Sequence, residues 1–288
     1  MIDQRILEDW LNSANARYRA EEIPPRQRPF RALSDFSREF KCSFMLDSPI
    51  AKSILDWFYK HSAPGSHAIG SMFTGAFYFD AYFWPMHIPI GYGAFSINAF
   101  DCLETMPEAV KEHLAKNQQD SSNLALYWVD CCDYAYGLDQ LQKATRLESR
   151  ALTFLNNGDR ELRGAVAQLL SSRPNTKAIL ALRMACEIFL KALLIQEKNL
   201  TDSQLKNLSH KIKDIAADCH LVTGVPEFGA VATAANVFPE VSERYDGDEW
   251  KLSEVWNALC IAQVAATAVV RHYTDRDMRS QVFPSKDG

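Results

Sequence analysis

The feature that most constrains this chain is the long run of helical periodicity in its second half. From residue 148 to 273 apolar residues recur every three or four positions, and the breaks between periodic stretches are short and polar. Helices are expected over 148–171, 176–198, 202–219, 226–236 and 252–273. The second of these carries Ile179, Leu182, Cys186, Phe189 and Leu193 in line, and the last carries Leu252, Val255, Leu259, Ala262, Ala266 and Val269. Asn156-Asn157-Gly158 should weaken the first. Ala262, Ala265, Ala266 and Ala268 would let a neighbouring helix come close. Short links between long helices imply antiparallel neighbours. The expectation is an antiparallel helix bundle over 148–275, with a frayed polar tail over 276–288.

The first 147 residues read as a helical region interrupted by one aromatic-rich segment. Residues 2–20 form an amphipathic helix whose buried stripe is either Ile2, Ile6, Trp10, Ala14 and Tyr18 or Leu7, Leu11 and Ala14. A basic, proline-rich link spans 24–31. Residues 48–61 read as a helix with Ser48 as N-cap and Pro49 in the first helical position. Between about 71 and 95, Phe77, Phe79, Ala81 and Phe83 alternate with Tyr78, Asp80, Tyr82 and Trp84, as a strand would. Met86 to Ile90 would be its partner at a sheet edge. Thr105 with Glu108 makes a capping box for a helix at 106–116, and 121–147 is a further helix with a broad apolar face. The fold class is therefore mostly α, a bundle joined to a helical region carrying a small β-hairpin.

Composition narrows the function classes. The chain has 288 residues, 47% hydrophobic and 23% charged, enough to bury real cores. With a net charge of −5, any nucleic-acid contact must use a local basic patch. Seven cysteines without a C-x-x-C pair fit reduced core thiols in a cytoplasmic chain. Met1 to Arg5 does not open a leader pattern, and no uncharged apolar stretch reaches membrane-spanning length. A phosphate loop, a dinucleotide fingerprint, H-E-x-x-H and G-x-S-x-G are all missing. No cofactor, metal ligand set or catalytic residue is assigned on this basis.

Four constellations can be read in two ways. His61, His67 and His87 around the aromatic segment, with Asp80, could bind a metal or be ordinary surface or core histidines, and Asp80, His67 and His87 could serve an enzyme site between hairpin and bundle. The aromatic run itself is a hairpin core, or a stacking platform. Arg17, Arg19, Arg26, Arg28, Arg31, Arg38 and Lys41 concentrate positive charge, diluted by Glu21, Glu22, Asp35 and Glu39, as a solvated linker or an anion contact. Arg183, Glu187 and Lys191 step by four along an apolar helix, as an internal ion-pair row or the wall of a ligand groove.

The stretch from Leu182 to Ile195, with Glu187 and Leu190-Lys191-Ala192-Leu193-Leu194, resembles the long helix of the HEPN domain. Leu208-Ser209-His210-Lys211-Ile212 is similar to that family's next helix start, and Glu243-Arg244-Tyr245 to the segment before its last helix. The resemblance covers about 150–275. It implies a dimeric bundle of four or five helices associated with nucleotides, RNA cleavage, and toxin–antitoxin or defence systems. The cleaving members carry an Arg with a His four to six residues on. Here Arg271 and His272 are adjacent, and Lys211 follows His210 where the family has Asp. The expectation is a non-catalytic, homodimeric binding or regulatory protein for a nucleotide, RNA or protein partner. Arg183, Lys191, His210, Arg244 and Tyr245 would form its ligand site. An enzyme using Asp80, His67 and His87, or a structural assembly protein, are the rivals.

Overall fold

The computed structural model describes residues 4–45, 48–61, 71–90, 97–208, 210–240 and 250–283, and it divides into two compact units, Met1–Gly70 and Ser71–Gly288. The expected division after 147 differs from this, because the hairpin and the helix that follows it share one hydrophobic core with the later helices.

The first unit holds α1 (Gln4–Ala20), α2 (Arg28–Glu39) and α3 (Pro49–His61). The stretch read as a link over 24–31 is in fact a 3₁₀ turn, Pro25–Gln27, running straight into α2. The prolines start helical turns here rather than block them, since a proline in the first turn loses no hydrogen bond and its fixed φ already suits a helix. Of the two stripes read for α1, Leu7, Leu11, Ala14 and Tyr18 face the core while Ile6 is 53% exposed. They meet Ala32, Leu33 and Phe36 of α2 and Ala51, Ile54 and Phe58 of α3. Burying each large side chain contributes roughly 1.5–3 kcal/mol.

The second unit opens with the hairpin. Strands β1 (Phe73–Phe79) and β2 (Tyr82–Ile88) pair antiparallel, Phe79 opposite Tyr82. Asp80 and Ala81 form the two-residue turn at φ 53° and 57°, the left-handed pair that matches strand twist. The single alternating strand expected over Phe77–Trp84 is thus folded back on itself. Across the turn the parity of the faces inverts, so Phe83 stands beside Tyr78 rather than with Phe77 and Phe79. The hairpin packs on α5 (Gln118–Lys143) and α6 (Ser149–Leu169). Phe73, Phe77, Phe79 and Phe83 are buried, so the run serves as core.

Before α5 lies α4 (Glu108–Lys116). The Thr105–Glu108 box does not form; Pro107 takes the N-cap position without a side-chain bond. Asn117 instead caps α5, accepting from the Gln119 and Asp120 amides. Helix α6 runs unbroken through Asn156-Asn157-Gly158. A Cβ on Gly158 would stand 3.0 Å from the Phe189 ring, so the glycine lets α6 press onto α7 (Ala178–Lys198). The helix expected over 202–219 is two, α8 (Asp202–Asn207) and α9 (Ile212–Thr223), with His210 in the break. Then come α10 (Pro226–Ala234), a 3₁₀ turn Ala235–Val237, α11 (Leu252–Tyr273) and α12 (Met278–Val282). From 150 to 275 no strand occurs among the described residues.

Helix α7 packs against α6, α9 and α11, and α11 also packs on α5. The small face of α11 is consumed inside this bundle: Ala258, Ala262, Ala265, Ala266 and Ala268 are all buried. Gly137 has the same purpose, since a Cβ there would meet Val270 at 2.2 Å. Among the described residues α11 is the one helix long and apolar enough to cross a bilayer, and 61% of that apolar window is buried in the protein. The described part of the expected tail, up to Phe283, is not frayed, and residues 284–288 lie outside the described residues. Helix α12 docks on α5.

Candidate functional site

Glu187 organises the charged stripe of α7. Its side chain is only 11% exposed. One oxygen accepts from Lys191 Nζ at 2.7 Å, and His210 Nδ1 lies 3.0 Å away. Arg183 Nη1 is 3.8 Å from the other oxygen. The remaining Arg183 donors are spent on backbone: Nε donates to the Pro239 carbonyl at 2.9 Å and Nη2 to the His210 carbonyl at 2.7 Å. The structure therefore brings Arg183, Lys191 and His210 together, around a carboxylate. The row is an internal ion-pair cluster that pins the 208–212 break and Pro239 to α7. Arg244 and Tyr245 lie outside the described residues.

Beside this cluster, Arg183 forms one wall of a groove of about 800 Å³, a size that suits a small molecule. Its floor comes from Ile179 and Ile212. The N-cap Lys211 and, from the first turn of α9, Lys213 and Asp214 also line the groove. The 3₁₀ turn after α10 contributes Asn236, α11 contributes Glu254 and Asn257, and Trp250 stands two positions before that helix. Among the described residues no side chain caps α9; the Asp214 amide donates to the Lys211 carbonyl at 3.1 Å, and the positive end of the helix dipole remains for an acceptor. Three basic and three acidic side chains (Asp214, Glu240, Glu254) share the groove. Its formal charge is balanced, with a basic side at α9.

A second polar centre escaped the sequence reading. Asp130 and Asp133, one turn apart on α5, both receive Arg271 of α11: Nη2 to Asp130 at 2.7 Å, Nε to Asp133 at 2.8 Å. All three side chains are 10% exposed or less. Asp133 also accepts the Met278 amide at 3.0 Å, and Arg279 Nη1 comes within 3.6 Å of Asp130. Burial pushes the Asp130 carboxyl above the usual range, against the pull of Arg271 and Arg279. The cluster clamps α12 to the bundle. The signal was present as two carboxylates on the apolar face of α5, which need partners. His272 points elsewhere, to Glu197 at 3.5 Å.

Of the residues in the enzyme reading, Asp80 and His87 stand apart. Asp80 sits in the hairpin turn, while His87 is near the other end of β2, with Nδ1 3.2 Å from Thr74 Oγ1. At about 3.3 Å per residue the two are roughly 20 Å apart. His67 lies outside the described residues. Among the described residues no three His, Cys, Asp or Glu side chains gather to hold a metal. The cysteines are free. Burial raises the thiols of Cys131, Cys132, Cys186 and Cys260, and that of Cys219 to about 12, so they stay protonated. Compared with protein-family models, curated proteins and solved structures, the chain matches none.

Proposed function

We propose that the Ser71–Gly288 unit is a HEPN-like, non-catalytic binding module, and that its ligand is a nucleotide held in the groove beside Arg183. The observation that carries this reading is the set of groups lining one 800 Å³ groove. The Trp250 indole offers a face for a planar ring, and the amides of Asn236 and Asn257 offer donors and acceptors for ring edges. Lys213 and the uncapped start of α9 offer a place for phosphate. The balanced charge of the groove favours a small nucleotide over a polyanion such as RNA. The resemblance of Leu182–Ile195 to the HEPN long helix, on α7 beside this groove, supports the same reading. So does the engagement of Arg271 with two aspartates, which leaves it facing away from His272 and poorly placed to steady a phosphate during cleavage. Leu180, Ala181, Met184 and Ile188 form a half-exposed apolar stripe on α7, in keeping with a homodimer.

The test is calorimetric titration of the full chain with nucleosides and their mono-, di- and triphosphates. Binding of a nucleotide should be lost in Trp250→Ala. It should weaken about tenfold in Lys213→Glu, a change of about 1.4 kcal/mol, while nucleoside binding is unaffected. No heat with any nucleotide at millimolar concentration would sink the proposal.

A further inference from the structure

In the first unit, three arginines converge on one carboxylate. Asp35, on α2, is buried against Tyr18, whose hydroxyl donates to Oδ2 at 2.9 Å. Arg17 Nη2 and Arg31 Nε reach the same oxygen at 3.4 and 3.2 Å, and Arg38 Nη1 reaches Oδ1 at 3.3 Å. Burial alone would raise the Asp35 carboxyl, but the Tyr18 bond and the arginines hold it below the ordinary range. One hydroxyl and one guanidinium already satisfy a single carboxylate, so three cations exceed what the fold requires. The guanidinium-bearing side chains are 47%, 53% and 72% exposed, and one negative charge cannot neutralise them. Glu21 is the other acid that acts on Arg17, and the neighbouring Glu39 is engaged by the Trp10 indole at 2.8 Å.

The positive charge continues along α2. Arg28, Arg31, Asp35 and Arg38 share a face at helical spacing. Beside them Phe30 is 46% exposed. It precedes Ser34 by one turn, and Arg38 Nη2 reaches the Ser34 hydroxyl. A cationic strip flanked by an exposed aromatic ring is the arrangement that holds a single-stranded nucleic acid, with phosphates on arginine forks and a base on the ring. An acidic peptide would use the charges and leave the ring without a role.

We propose that the Arg17–Arg31–Arg38 cluster with Phe30 is a docking surface for the backbone and bases of single-stranded nucleic acid. This surface is separate from the nucleotide groove and does not depend on it. The experiment uses the full chain and a labelled single-stranded RNA of mixed sequence, with anisotropy read across a salt series. The Arg31→Ala/Arg38→Ala variant keeps Tyr18 and Arg17 on Asp35. Its affinity should fall, and the slope of log affinity against log salt should shrink by about 1.4, two phosphate contacts at roughly 0.7 each. Phe30→Ala should weaken binding about tenfold with the slope unchanged. Lys213→Glu should leave this binding intact, which separates it from the groove. Arg38→Gln, at the most exposed position, repeats the test should the double variant unfold. The idea falls if the wild type does not bind, or if slope and affinity are the same in the arginine variants. It also falls if a labelled polyglutamate peptide binds as tightly as RNA and Phe30→Ala changes neither.

Discussion

Replacing Arg271 with Met tests whether the buried charge clamp is structural. The substitution keeps most of the side-chain volume and removes the cation. It leaves Asp130 and Asp133, 5% and 4% exposed, facing each other without their shared partner. Removing one member of a buried pair costs about 3–5 kcal/mol, because the remaining charge stays desolvated. Arg279 lies 3.6 Å from Asp130 and is 33% exposed, so it can close in and soften the loss. The expected cost is therefore near the low end, about 3 kcal/mol, a fall in melting temperature of roughly 6–12 °C for a unit of this size. The assay is calorimetric melting, together with hydrogen exchange at the Met278 amide, which should lose protection as α12 detaches from Asp133. Neutralising the two carboxylates as well, in Asp130→Asn/Asp133→Asn/Arg271→Met, should restore most of the stability. A single Arg271→Met variant that melts with the wild type and keeps Met278 protected would refute the reasoning.

Two further outcomes follow from the other carboxylate centres. Glu187→Gln should destabilise by about 3 kcal/mol, since it strands Lys191 at 12% exposure, whereas Glu187→Met/Lys191→Met should recover much of that loss in urea unfolding; equal stability of the single variant and wild type would contradict the hub role. Asp35 titrates below its unfolded value of about 3.9, so its contribution is present above that pH and lost as pH falls through the lower folded value. The stability gap between wild type and Asp35→Asn should therefore close on acidification below about pH 4, and a gap that widens there would reverse the sign of the argument.

Much of the helical architecture was legible because burial of one helix face leaves a periodic trace. The spans of α3, α7 and α11 follow from their apolar spacing to within two or three residues. What failed was local chemistry whose meaning depends on context. Pro25 and Pro29 look like breakers but begin helical turns. Asp80-Ala81 carries no glycine or asparagine, so the turn that splits the aromatic run is silent in the sequence. Within the candidate site, the step of four from Arg183 to Glu187 to Lys191 did foretell a cluster. That His210 would complete it, across a break between two short helices, could not be read from periodicity. Asp130 and Asp133 were visible as charges on an apolar face, but their partners lie far along the chain.

That distance shapes how the second unit can fold. The bonds from α5 to Arg271 and Met278 span 138 to 145 positions. Such nonlocal closure is slow, because the loop entropy is lost before the contact repays it. Helix α5 can form early from its own sequence, but Asp130 and Asp133 must stay hydrated until α11 and the segment after it have been synthesised. The α5–α11 seam is thus a late event in folding, and the α6–α7 pair, joined by a short link, is the natural nucleus. Intermediates of this unit should expose α5 and the α11-facing side of α7, the surfaces on which a chaperone would act.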